Sequence, residues 1–226
     1  AEVLARLHDE ELGFIRPDIF ITVAERSGSI TQLGEQVFEK ACLFLAEHPL
    51  RELGLERLNL NLSPIQCRDS HMAEHLCRIA QRHKVPIHSF RFEITESALS
   101  YEQRLQQNMD MLIAQGAVIS LDDFGTGYSN LMRVLKFPFE DVKLDMSFVR
   151  AYFDQTNKLL PAIIEGFQSF GVQITAEGIE NKQMADTLTT FGCRILQGFY
   201  FAKPLPMDEF LHYLKTTAPT VRTDTD

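Results

Sequence analysis

Nowhere in these 226 residues does an apolar run approach the roughly 18 residues that cross a bilayer, which excludes a transmembrane helix. Cysteine is scarce, four in all, and Cys42, Cys67, Cys77 and Cys193 form no CxxC pair. A chain of this length needs no covalent staples, so reduced thiols in a cytoplasmic compartment are expected and a thiolate zinc site is not. Positive charge is also short, 22 Lys and Arg against 31 Asp and Glu, for a net charge of -9. That balance disfavours sequence-independent binding to duplex nucleic acid, and a phosphate substrate needs cations placed locally. The opening residues, Ala1-Glu2-Val3-Leu4, contain no initiator methionine, basic segment or signal-peptide core. They read as a domain cut from a longer polypeptide, whose absent upstream sensory or regulatory region would carry any membrane anchor.

The 45% apolar and 23% charged content are those of a globular protein, and this length suits a single α/β barrel. Residues 1–215 are expected to form one domain. The stretch 216–226, TAPTVRTDTD with the preceding Thr216, has no apolar periodicity and is expected to fray.

Short apolar, β-branched runs end at or just before Glu2, Asn61, Glu93, Asp122-Asp123, Lys143, Glu177 and Gln197. Between them the spacing predicts helices. Leu33, Val37, Ala41, Phe44 and Leu45 share a helical face over 31–47, and further helices are expected over Met72 to His83, near Ser129 to Leu135, over 157–170, Lys182 to Phe191 and Met207 to Leu214. Ser100 with Gln103 makes a capping-box pattern ahead of the stripe Leu105, Met109, Leu112 and Ile113, which Gly116 stops. Strands alternating with helices form a parallel sheet or barrel whose reactive groups gather at the carboxyl ends of the strands. Seven strands are visible where a closed barrel has eight, so either one lies upstream of Ala1 or the barrel is irregular.

Glu2, Asn61, Glu93 and Asp122 supply hard oxygen donors from four strands, a set that suits Mg2+ or Mn2+. Adjacent Asp123 allows a second ion, the arrangement that clamps attacking and leaving oxygens in phosphoester cleavage. Two other motifs are set aside. Asp123-Phe124-Gly125 matches the kinase metal motif, but no HRD-type loop or lysine-bearing third strand accompanies it. His71 and His75 are four apart, but HMAEH lacks the glutamate that a zinc-protease helix places beside its first histidine.

In order, EVLAR at 2–6, NLSPIQ at 61–66, FEITES at 92–97, DDFGTGYSN at 122–130, KLD at 143–145, AEGIE at 176–180 and QGFYF at 197–201 closely resemble the EAL-domain cyclic-di-GMP phosphodiesterases. The likeness spans Glu2 to Phe210. It implies a modified TIM-type (β/α)8 barrel that hydrolyses one phosphodiester of cyclic di-GMP to linear pGpG, ending a second-messenger signal. By the same resemblance Glu2, Asn61, Glu93 and Asp122 hold one metal, and Asp122, Asp123 and Glu177 a second. Glu177 takes the proton of the attacking water and Lys143 offsets the developing charge. Arg6 contacts a phosphate oxygen, Gln197 helps hold water or substrate, and Glu96 anchors the glycine-rich loop through Thr126. Asp145 and Glu180 support the site, and Gly125 and Gly127 provide turns. Homodimerisation through helices near the Asp123 loop is also implied.

Val3 stands where the family signature has alanine, Leu7 replaces a tryptophan, Asn130 a serine and Met146 an arginine; none is a proposed ligand. The competing reading is a receptor that binds cyclic di-GMP without cutting it. Such a protein should lack at least one of Glu2, Asn61, Glu93, Asp122, Lys143 or Glu177, and all six are present. A purely structural interaction module has no use for strand-end acids that repel one another. Ca2+ should occupy the oxygen site yet inhibit, because its longer, irregular coordination spoils an in-line geometry.

Overall fold

The computed structural model describes residues 1–126 and 134–217. Gly127, Asn130, most of the helix expected near Ser129 to Leu135, and the end of the tail lie outside these residues. Seven strands form one parallel sheet. They are β1 (Glu2–Val3), β4 (Leu58–Leu62), β5 (Phe90–Thr95), β6 (Val118–Phe124), β7 (Asp141–Leu144), β8 (Gln173–Ala176) and β9 (Ile195–Leu196), hydrogen-bonded in that order. A separate antiparallel hairpin, β2 (Leu7–Asp9) with β3 (Gly13–Ile15), follows β1. The helices are α1 (Pro17–Ser27), α2 (Ile30–Glu47), α3 (Leu50–Leu53), α4 (Met72–Arg82), α5 (Glu102–Ala114), α6 (Met146–Phe153), α7 (Leu160–Ser169), α8 (Lys182–Thr190) and α9 (Met207–Thr217).

The sheet curls into a partial barrel with β1 and β9 as its two edges, and no eighth strand joins them among the described residues. A side chain spans the seam instead: Gln197, just after β9, donates to Glu2 Oε2 at 2.8 Å. A cavity of about 1860 Å³ opens along this seam. Its lining runs from Glu2, Arg6 and Glu177 to Asn59 and Arg91 deeper in the lumen.

Strand alternation divides the polar lumen from the apolar layer. In β4, Leu58, Leu60 and Leu62 are buried toward the helices, leaving Asn59 and Asn61 on the other face. In β5, Phe90, Phe92 and Ile94 pack outward while Arg91 and Glu93 point inward. Phe38 of α2 meets the rings of Phe90 and Phe92 at centroid distances of 4.8 and 5.8 Å. Strands buried on both faces ordinarily read as continuous apolar runs. Here polar residues interrupt them because the inner face is the site.

Several boundaries differ from the sequence expectation. The capping box at Ser100 does not form: Ser100 lies in a 3-10 turn, and α5 starts at Glu102 after Tyr101 with no side-chain cap. A 3-10 turn gives those first amides i→i+3 carbonyl acceptors, so the motif's side-chain acceptors are not needed there. Pro161 does sit in the first turn of α7, and Gly116 follows α5 with φ +87°. Helices α1, α3 and α6 and the hairpin had no counterpart in the sequence reading.

Truncating Phe92, fully buried between sheet and α2, is expected to cost about 3 to 5 kcal/mol. Equilibrium urea unfolding of Phe92→Ala measures it, and a loss under 1 kcal/mol, roughly that of a surface change, counts against this packing.

Candidate active site at the carboxyl edge

Register places the strand-end groups on common levels. Asn61 pairs with Glu93, Glu93 with Ser120, and Thr95 with Asp122 across the parallel ladder. Glu177 and Gln197 follow directly on Ala176 and Leu196, and their amides continue the ladder to Leu144 and Ala176. Side chains from five strands therefore reach one point.

That point is the ammonium group of Lys143, 1% exposed. Its Nζ lies 2.8 Å from Glu177 Oε1, 2.9 Å from Glu93 Oε2, 3.1 Å from Asp122 Oδ1 and 3.6 Å from Glu2 Oε2. The remaining oxygens of the two glutamates nearest β4 take amide donors. Asn61 Nδ2 donates to Glu2 Oε1 at 2.7 Å and Asn59 Nδ2 to Glu93 Oε1 at 2.7 Å. Lysine has three N–H donors, so four carboxylates exceed its capacity. Asp122 Oδ1 is buried without a well-aligned hydrogen bond despite its nearness to the ammonium.

The electrostatics follow from burial and crowding. Burial pushes the Glu93 carboxyl up to about 7, with Lys143 pulling it down and Glu2 and Asp122 pushing it further up. For Glu2 burial also acts upward, but Lys143, Gln197 and Asn61 outweigh it and hold the acid below the usual range. Glu177 is raised, chiefly by burial and against the attraction of Lys143. Lys143 itself is raised: burial works against its charge, and the four surrounding acids overcome it.

Asp122 and Asp123 are neighbours in a strand, where successive side chains point to opposite faces. A register irregularity between Leu121 and Phe124 and a left-handed φ of +57° at Asp123 break that alternation. Burial, then Asp122 and Asp145, raise the Asp123 carboxyl. The turn continues through Gly125 at φ +105°, where a Cβ would lie 2.8 Å from Phe148, so glycine is required on both counts. Thr126 Oγ1 donates to the Asp123 carbonyl at 3.0 Å.

The remaining residues singled out in the sequence stand around this cluster. Asp145 caps α6, accepting from the Ser147 amide at 2.8 Å and from its hydroxyl. Arg6 is exposed on the cavity wall, with Nη1 on its neighbour Ala5 carbonyl at 2.9 Å. Glu96 opens the 3-10 turn after β5. Glu180 is paired with Arg150 of α6. Met146 packs over Gly178, where a Cβ would come within 2.3 Å of the methionine Cβ, next to Glu177.

Two features went unread in the sequence. Asn59 holds Glu93, and the alternation LNLNL carried that signal, since it puts Asn59 on the face of Asn61. Beside the cluster, buried Asp141 accepts from Ser120 Oγ at 3.1 Å and Thr175 Oγ1 at 2.9 Å, with Arg91 Nη1 3.6 Å away. Only the register brings those four together.

Residues 1–204 match the model of the EAL domain. This chain belongs to the EAL-domain family. Among its relatives, the cyclic di-GMP phosphodiesterase RocR of Pseudomonas aeruginosa is 34% identical over 94% of this chain and 55% of its own length. The oxygen sensor protein DosP of Escherichia coli is 33% identical over 96% of this chain and 28% of its own. This EAL domain thus spans about half or less of those curated relatives. A solved structure described as the PaMucR phosphodiesterase in complex with c-di-GMP superimposes with a TM-score of 0.84, at 29% identity, covering 92% of this chain and 85% of that one.

EAL phosphodiesterases are in general dependent on divalent metals. The donor set fits such ions, since it consists of carboxylates and a carboxamide, and the buried Asp122 Oδ1 lacks an aligned donor. Among the described residues no trio of acids, histidines or cysteines is arranged around a common metal position, and the ammonium takes the point the acids share.

Glu93 also predicts a pH dependence. The folded chain keeps its proton up to about pH 7, whereas the unfolded chain releases it near 4.5. Unfolding between those values releases a proton, so this group makes stability fall as pH rises through the window. In thermal melts with chelator, Glu93→Gln is expected to flatten that fall. An unchanged slope would contradict the shift.

Proposed function

We propose that this EAL domain hydrolyses one phosphodiester bond of cyclic di-GMP to linear pGpG, supported by Mg2+ or Mn2+. The observation that carries the reading is the convergence of Glu2, Glu93, Asp122 and Glu177 on Lys143, with Asn61 and Gln197 bonded to Glu2. Relatives named as cyclic di-GMP phosphodiesterases and a neighbour solved with c-di-GMP supply the substrate. A receptor that binds without cleaving is the weaker reading, because no group of the set is missing.

Glu2, Asn61, Glu93 and Asp122 would hold one ion, and Asp122, Asp123 and Glu177 a second. When bound, such ions supply Lewis-acid activation of water and neutralise phosphate charge. Glu177, its proton affinity raised by burial, accepts the proton of the attacking water. The Lys143 ammonium offsets the negative charge that builds on the phosphate oxygens. Arg6, exposed on the cavity wall, reaches a phosphate oxygen, and Gln197 orients water or substrate beside Glu2. Glu96, at the start of the turn after β5, is assigned to anchoring the glycine-rich loop, although the Thr126 hydroxyl expected to receive it donates to the Asp123 carbonyl; Asp145 keeps α6 in place by capping it.

The whole protein is proposed to carry a sensory or regulatory region, to act in the cytoplasm and to form homodimers near the Asp123 loop. Among the described residues no helix is long and apolar enough to cross a membrane.

Incubation with cyclic di-GMP and Mg2+ or Mn2+, followed by chromatography, tests the activity: pGpG is expected, and bound but unchanged nucleotide decides for the receptor. Glu177→Ala and Lys143→Ala, assayed with Mn2+, should each lower kcat roughly 10²- to 10⁴-fold while nucleotide still binds. Wild-type turnover in both sinks the role assignment. Ca2+ should bind with little turnover, and brisk cleavage in Ca2+ alone would argue against the geometric requirement.

A further inference from the structure

We infer that Lys143 is the built-in counter-cation of the acid cage: it holds the ligand set together when no divalent ion is present, and a metal must displace it to enter. This rests on the proposal that the cage binds metal. It adds that the chain's own lysine sets the strength of that binding.

The geometry carries the argument. Four carboxylates from four different strand ends reach within 3.6 Å of one nitrogen. Each is at least largely buried, and at such spacing like charges repel strongly in a medium less polar than water. Without a cation among them the acids would have to separate or take up protons. The amides cannot do this work alone, because Asn59, Asn61 and Gln197 donate to Glu93 and Glu2 only. Among the described residues Lys143 is the one cation that touches all four acids, and it enters from β7, between the strands that carry Asp122 and Glu177.

Two consequences follow. The ligands are already gathered, so metal entry needs no large rearrangement of the strands. The entering ion must, however, compete with the ammonium for the same oxygens. The ammonium it displaces is the group the proposed reaction needs against the phosphate, so metal loading would also release the lysine for its chemical role.

The test uses Lys143→Met, which removes the charge and keeps most of the volume, and the double variant Lys143→Met with Glu93→Gln, which removes one buried acid as well. Thermal unfolding, followed by circular dichroism in EDTA and in rising Mn2+, and Mn2+ affinity, by electron paramagnetic resonance of the free ion, are both measured at alkaline pH. Lys143→Met is expected to melt well below the parent in EDTA and to gain more from Mn2+. It should bind Mn2+ at least about tenfold more tightly, since removal of a unit charge about 4 Å away exceeds a factor of ten even at a protein-surface dielectric. Glu93→Gln should restore much of the lost melting temperature. Should Lys143→Met not fold in EDTA, recovery of the folded spectrum by Mn2+ or by Glu93→Gln supports the inference, and recovery by neither overturns it. Equal melting in EDTA with equal Mn2+ affinity also overturns it. If the parent binds no Mn2+ at all, the metal reading itself fails, and the inference with it.

Discussion

A single ammonium group shared by four carboxylates organises this molecule. Burying that many acids is costly unless each oxygen finds a donor, and a lysine with three N–H groups cannot serve them all. The structure meets the shortage with carboxamides: Asn59 on Glu93, and Asn61 and Gln197 on Glu2. One oxygen, Asp122 Oδ1, stays without an aligned partner. Buried groups left short of donors in a native fold commonly mark a functional centre, and here the deficit falls where an entering cation would meet it.

The rest of the fold can be understood as what keeps these charges close. The Leu and Phe faces of β4 and β5 pack against α2, so the strands cannot drift apart to relieve repulsion. Parallel register brings the ends of β5 through β8 to one level. At the seam between β1 and β9, where the ladder is open, the Gln197 to Glu2 hydrogen bond joins the two edges beside the site. A second buried group, Asp141 with Ser120, Thr175 and Arg91, lies beside the acids, two residues before Lys143 in β7, where two hydroxyls donate to its carboxylate.

Much of this was legible in the residues. The seven strands of the main sheet were each visible as an apolar run, and the helices over 31–47 and Met72 to His83 came within a residue or so of α2 and α4. Glu2, Asn61, Glu93, Asp122, Lys143, Glu177 and Gln197 were all singled out, and the fold brings them together. Asp145, read as a supporting group after KLD, has its carboxylate engaged in starting α6. The Ser100 capping box failed because a 3-10 turn competes for the same amides. The hairpin β2–β3 was missed because two three-residue strands are too short for alternation to register.

What the amino-acid order determined by itself was the periodicity: apolar residues at strand and helix spacing, with an acid, amide or lysine at the end of each run. Local sterics and side-chain burial act within a few residues, so that information is readable along the chain. What only the tertiary structure decided was which charge meets which. Glu2 and Gln197 are 195 residues apart and meet across an open seam, and Lys143 chooses its four partners because sheet curl and register place them within reach. Coulomb attraction and hydrogen bonding depend on distance in space, which the order of residues does not contain until the sheet has curled.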